Sequence, residues 1–446
     1  MPQLDFTKGN ILRQLFFFST PIMLANLLQV SYQFVDSLWV GNLIGANALG
    51  AVTVASTVIL TVLSFIIGVN NVTLTILSQQ RGKDNDSGLK NYLNAFVVLL
   101  TVLSLTVGTV GYVCTEPILH MLDTPAEMID DAAAYLRINF VGILFLLGYN
   151  FISTVLRALG DSKTPLRIVF IAVVLNVILD PIFISVLDWG VEGAAYATVA
   201  SQGLSFILGV IYTLRRGAVP FTVPFLPDKE EILLILKLGI PAGLQMTVIF
   251  AGVTAIMTVV NSFGAHAVAG FGAAQRLDSL ITLPAMALGT AVNSMAGHNI
   301  GAGRWDRVHK IAWYGTLYNL VIMLLIAAII FIFAEPAIKL FIQEPDAVGF
   351  GAEYLRIVAF FYPFIGMNFI LNGVVRGSGA MYQVLVLNII SFWVLRYPLT
   401  YFCSSLIGEE GIALGMGIGF VISSAFALSY YLFGKWKSTE LFVEKR

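Results

Sequence analysis

Long apolar runs separated by short polar connections cover nearly the whole chain. Twelve of them reach the ~20 residues that a helix needs to cross the hydrocarbon core of a bilayer. They lie approximately over 12–40, 46–78, 90–113, 131–157, 164–187, 192–214, 233–261, 266–297, 309–333, 350–376, 380–404 and 411–434. Several are longer than the minimum, which predicts tilt or extension beyond the membrane. The first run is interrupted in an ordered way. Asn26, Gln29, Gln33 and Asp36 follow the i, i+3, i+7, i+10 spacing of one helix face, and Tyr32 borders that face. A polar stripe inside a spanning helix must face something other than lipid.

Composition agrees with the pattern. The chain has 446 residues, 58% hydrophobic and 11% charged, and its mean hydropathy is +0.86. Soluble domains carry about 25% charged residues, so this is an integral membrane protein. The first apolar run is too long for a cleavable leader and lacks a small-residue cleavage site, so it reads as the first span. A net charge of −1 gives no field for nucleic acid. Cys114 and Cys403 make no disulfide framework and read as ordinary thiols.

Lysine and arginine set the orientation. Lys8 and Arg13 precede the first run, and alternate connections carry Arg81, Lys83 and Lys90, then Arg157, Lys163 and Arg167, then Arg215, Lys229 and Lys237, then Arg304, Arg307 and Lys310, and then Arg376. The tail adds Lys435, Lys437, Lys445 and Arg446. The other connections hold Lys339 against acids such as Glu116, Asp123, Asp188, Glu344 and Glu409. The positive-inside rule then places both termini in the cytoplasm, with the chain multi-pass in the plasma (inner) membrane.

The chain repeats itself. "GANALGA" begins at 45 and "GAHAVAG" at 264; "EPILHML" at 116 is answered by "EPAIKLF" at 335, "AYLRI" at 134 by "EYLRI" at 353, and "VLRALG" at 155 by "VVRGSG" at 374. All four pairs share one offset, 219 residues. Each half has six spans and starts on the same side, so the repeat is parallel. The expected fold is all-α: twelve transmembrane helices in two six-helix bundles, related by a pseudo-twofold axis along the membrane normal, with a cleft between them. Residues 1–214 form the N-terminal lobe, the proline-containing stretch 215–231 a cytoplasmic linker, and 232–446 the C-terminal lobe.

A charge at mid-bilayer costs about 2.5–3.5 kcal/mol on insertion scales, so such residues usually face a cavity. Asp36, Asp180 and Asp278 lie well inside spans. Asp36 is about 8 Å and Asp180 about 12 Å from the outer ends of spans 1 and 5, at ~1.5 Å per residue. Asn176 precedes Asp180 by one turn on the same face, Pro181 follows it, and span 6 offers Thr198. These four residues, Asp36, Asn176, Asp180 and Thr198, read as a shared proton or ion site, because paired carboxylates in a low dielectric resist double ionisation. The plain alternative is a buried hydrogen-bond network. The repeat puts Ala255 where Asp36 would recur, and it puts Leu399 or Tyr397 opposite Asp180, so the pair belongs to the first half alone. Asp278, with Arg276 two residues away on another face, reads either as a second cation site or as an ion pair joining helices, for example to Arg396. Arg137 and Arg356 match in the repeat and read as snorkelling side chains.

No pair of the four histidines has metal spacing, and no H-E-x-x-H, G-x-S-x-G or Walker A sequence occurs. Neither enzyme activity nor a metal or cofactor is expected.

The run "VDSLWVGNLIGANALGA", Pro21 early in span 1, "VLRALGDSKTP", "NVILDPIFI" and "GHNIGAGR" resemble the multidrug and toxic compound extrusion (MATE) transporters over essentially the whole chain. "RALGDSKTP", "LDPIFI" and "AAQRLDSLI" look closest to the DinF-like branch. The resemblance implies a secondary antiporter that exports amphipathic, mostly cationic compounds by alternating access, in exchange for protons or sodium. It implies an N-lobe site at the positions of Asp36 and Asp180, joined by Asn176 and Thr198. It also implies a substrate region that includes Gln29, Tyr32 and Asn150, to which the polar stripe adds Asn26 and Gln33, and a hinge at Pro21. The expected partners are small drugs and membrane lipid. No protein partner is implied, and the protein reads as a monomer. NorM-like relatives use acids in spans 7 and 10, and none stands well inside those spans here. The alternative function is a flippase for a lipid-linked precursor, whose anionic cargo would call for cavity arginines.

Overall fold

The computed structural model describes residues 4–217, 219–438 and 441–442; Lys445 and Arg446 of the basic tail lie outside the described residues. Among the described residues there is no strand. Ten helices among those residues are long and apolar enough to cross a membrane. They are α1 (Ile11–Leu43), α2 (Ala46–Gly82), α3 (Asp86–Val113), α5 (Lys163–Val186), α6 (Gly190–Arg215), α7 (Lys229–Asn261), α8 (Ala265–Gly301), α9 (Trp305–Lys339), α11 (Met381–Ile407) and α12 (Glu410–Phe433). The remaining two runs are each a bent pair. α4 joins Ala126–Val141 to Ile143–Ala158 at 51°, and α10 joins Pro345–Ala359 to Tyr362–Gly377 at 55°. The sequence pattern predicts one span each at 131–157 and 350–376, with no sign of a bend. Hydropathy measures how greasy a segment is and carries no information about a bend inside it.

The chain divides into two compact units. The first contains Met1–Leu4 and Leu24–Lys237, and the second Asp5–Met23 and Leu238–Arg446. α1 is one continuous helix through Pro21, with residues on either side of the division.

In the first unit, small residues let helices approach closely, as membrane interiors favour. Ala51 and Ala55 of α2, Ala132 and Leu136 of α4, and Ala194 and Ala195 of α6 share one buried apolar cluster. The bend of α4 falls at Gly142, and a Cβ there would lie 2.5 Å from the Val199 side chain on α6. After Asp180 and Pro181, α5 widens into a π-helical turn, Ile182–Val186, with the Leu187 amide donating to the Ile182 carbonyl. Proline removes one amide from the ladder, and such insertions are frequent at functional sites.

The second unit has corresponding irregularities. α10 bends around Phe360 and Phe361, and α11 carries a π-helical stretch, Ile390–Arg396, just before Pro398. Glycines with positive φ open α2 and α8 at matching repeat positions, Gly45 (φ 126°) and Gly264 (φ 97°). Gly160 (86°) and Gly379 (91°) match in the same way. The repeat therefore extends from sequence to backbone conformation.

Candidate functional site

The polar stripe of α1 lines a cavity of about 290 Å³ inside the first unit. Gln29, Tyr32, Gln33 and Asp36 supply one wall, and Tyr135 of α4 and Thr198 of α6 face them. Ser56 and Thr53 of α2 and Gln202 of α6 add further polar groups, and Leu60, Leu63 and Val173 supply apolar area. The wall residues all belong to the first unit. The sequence reading expects this stripe in a cleft between bundles; the cavity described here is built by helices of one unit.

Asp36 is only 6% exposed, and Asp180 and Asn176 are fully buried. The Tyr135 hydroxyl approaches Asp36 Oδ2 at 3.5 Å, the outer limit of a hydrogen bond. Asn176 Nδ2 donates to Asp180 Oδ1 at 2.9 Å, one helical turn away as the i, i+4 spacing dictates. Five polar atoms of this group are buried without a hydrogen-bond partner: Tyr32 Oη, Asp36 Oδ1, Asn176 Oδ1, Asp180 Oδ2 and Thr198 Oγ1. Buried carboxylates that find no cation need a proton or an ion to neutralise them. Carboxylate, amide and hydroxyl oxygens suit a proton or a small hard cation. Among the described residues no group of three or more His, Cys, Asp or Glu side chains is placed to hold a metal.

Not every expected residue reaches this cavity. Asn26 is half-buried and lies one turn before Gln29, the first α1 residue of the wall. Asn150 is absent from the wall, and its amide donates to the Leu146 carbonyl of its own helix at 2.8 Å. Asp278 lies in the second unit. Its carboxylate accepts from the hydroxyl of Tyr362 and from that of Tyr354, the latter at 3.3 Å. Arg396 is buried, its guanidinium 3.7 Å from the Phe392 ring centroid and 4.5 Å from that of Phe420. Among the described residues it makes no ion pair with Asp278 within 4.0 Å. Arg276 does not join the group: it is exposed, 5.8 Å from the Phe341 ring. Arg137 pairs with Glu116 at 2.7 Å.

Sequence reasoning misses the tyrosines. Tyr135 stands in "AYLRI" and Tyr354 in "EYLRI", a repeat pair noticed for its arginines. Each hydroxyl meets an acid of its own unit, the buried Asp36 on α1 in one and the half-buried Asp278 on α8 in the other. The repeat thus carried the signal, but the acid each tyrosine meets stands on a different helix.

A multi-pass helical bundle with a buried acid pair beside a polar cavity is the architecture of a membrane transporter. Comparison with known proteins specifies the class. The MatE family model matches residues 21–182 and again 241–402, so this chain belongs to the MatE family of transporters. It is 61% identical over 445 residues to the probable multidrug resistance protein YpnP of Bacillus subtilis (strain 168), covering 100% of both chains. It is 29% identical to the probable multidrug resistance protein YoeA of the same organism, covering 98% of this chain and 96% of that one. Its fold is similar to the crystal structure of the Vibrio cholerae MATE transporter VcmN in the bent form, with a TM-score of 0.91 at 22% identity over 97% of this chain and 98% of that one.

Proposed function

We propose that this protein is a multidrug efflux antiporter that exports amphipathic, mostly cationic compounds in exchange for protons or sodium by alternating access. The observation that carries the reading is Asp36, a carboxylate in the wall of a polar cavity, in the same unit as a second, fully buried carboxylate, Asp180. Asn176 and Thr198 complete the coupling site, and Gln29, Tyr32 and Gln33 orient substrate in the cavity. Proton or sodium and a cationic substrate favour the same carboxylates in different charge states. Binding of one therefore weakens the other, and that competition produces exchange. Pro21 serves as the hinge through which a change at Asp36 alters the course of α1. The protein works as a monomer in the plasma membrane with both termini cytoplasmic, its lobes spanning 1–214 and 232–446 about the 215–231 linker. YpnP and YoeA are named as probable multidrug resistance proteins, and this agrees with the reading.

A flippase for an anionic lipid-linked precursor fits less well. Among the described residues the cavity wall holds no lysine or arginine, whereas a buried pyrophosphate needs them.

The test is efflux of a cationic dye from proteoliposomes under separately imposed pH and sodium gradients. Efflux driven by one gradient in the wild type and lost in Asp36→Asn supports the proposal. Dye movement that ignores both gradients, or transport of anionic lipid precursors alone, overturns it.

A further inference from the structure

The first unit carries a second recess, outside the Asp36 cavity. It is a groove of about 700 Å³ running along α6, lined by Phe183, Trp189, Glu192, Tyr196, Gly203 and Ile207 among others. Its two ends differ in chemistry. At one end Trp189 lies 5.2 Å from Phe183 and 5.6 Å from Tyr196 between ring centroids. Trp189 is 47% and Tyr196 43% exposed, so both rings present surface outward. Glu192 stands one turn along from Trp189, and Asp188 adjoins it; both are exposed, and neither takes part in an ion pair among the described residues. The rest of the groove is apolar, with Phe145 and Val199 on its floor and Leu204 and Ile207 exposed along it. From Glu192 to Ile207 the helix advances about 22 Å at ~1.5 Å per residue, more than the ~15 Å of one bilayer leaflet.

We infer that this groove is a membrane-side binding site for single-chain amphiphiles with an ammonium head group. The head sits against the Trp189 and Tyr196 rings, where a cation meets the negative face of the π-system. Glu192, in the groove wall, adds charge complementarity, and the exposed Asp188 precedes Trp189 in the chain. The alkyl chain lies in the trough toward Ile207, within the membrane. The Glu192 carboxylate, in no ion pair among the described residues, repels the phosphate of a phospholipid, so a purely cationic head is favoured over a zwitterionic one. The site concentrates long-chain cations on the unit that contains the Asp36 cavity and stands independently of how that cavity is coupled.

Trp189 provides its own reporter. The purified protein in nanodiscs of zwitterionic lipid is titrated with a dodecyltrimethylammonium compound brominated on its chain, and tryptophan fluorescence is followed. The chain has six tryptophans, so the expected signal is a saturable quenching component that disappears in Trp189→Phe. Its midpoint concentration rises about fivefold in Glu192→Gln and in Tyr196→Leu, the share of one exposed cation–π or charge contact. It is unchanged in Asp36→Asn, which separates this site from the coupling site. Quenching that grows linearly without saturation overturns the inference. So does saturable quenching by a brominated phosphatidylcholine that the ammonium compound fails to displace.

Discussion

Asp36 and Asp180 differ in their surroundings, and their substitutions should differ accordingly. Asp36 reaches the cavity and holds a long contact with Tyr135, while Asp180 is sealed and fixed by Asn176. Asp36→Asn removes the charge at nearly constant shape, so the protein should stay monodisperse in detergent while gradient-driven efflux falls at least about tenfold, the scale of losing one charged interaction of ~1.4 kcal/mol. Near-normal efflux by the Asp36→Asn/Asp180→Asn double variant would move the coupling site elsewhere. Tyr135→Phe removes only a weak contact and should slow efflux a few-fold with little change in melting temperature. Asp278 presents the opposite case. Two tyrosine hydroxyls converge on its oxygens, and an amide there turns an NH2 group toward one of those donors. Asp278→Asn should lower stability by about 1–3 kcal/mol, read as a lower melting temperature, with a milder effect on efflux than Asp36→Asn.

At the scale of elements, the bends and widened turns place the polar groups. α4 changes course at Gly142, two turns after Tyr135, and the backbone there meets Val199 of α6 with no room for a side chain. Gly142→Leu should therefore lower the melting temperature by the cost of overpacking, about 1–3 kcal/mol. Adding Val199→Ala should recover part of the loss. Additive losses in the double variant would show that the contact does not limit the site. α1 keeps helical continuity through Pro21. Pro21→Ala should leave the fold intact and slow transport, measured as efflux at matched protein in liposomes.

For the whole molecule, the alternation of basic and acidic connections predicts which connections reach the cytoplasm. With Cys114 and Cys403, both free, replaced by serine, cysteines at Asn42 and Asp188 should react with an impermeant maleimide on intact cells. Cysteines at Asp84, Asp228 and Lys437 should react only after permeabilisation. Outside labelling at position 228 would break the twelve-span topology, because that connection follows the sixth span and carries the basic residues Arg215 and Lys229.

The sequence by itself determined the spans and the repeat, and it set an expected direction for them. A bilayer forces every crossing segment to be a long apolar helix and makes loop charge a record of insertion, so these features are written residue by residue. It also exposed Asp36 and Asp180, since a carboxylate inside such a helix is too costly to be accidental. Helical periodicity put Gln29, Gln33 and Asp36 on one face, but it could not say how far the cavity ran along that face, and Asn26 falls short of it. Only the tertiary structure decided the rest: the bends of α4 and α10, the meeting of Tyr135 with Asp36, and the tyrosine partners of Asp278 in place of an ion pair. Those outcomes depend on which helices touch and at what depth. Side-chain volumes and glycine contacts across helices set that, and no single segment's hydropathy contains it.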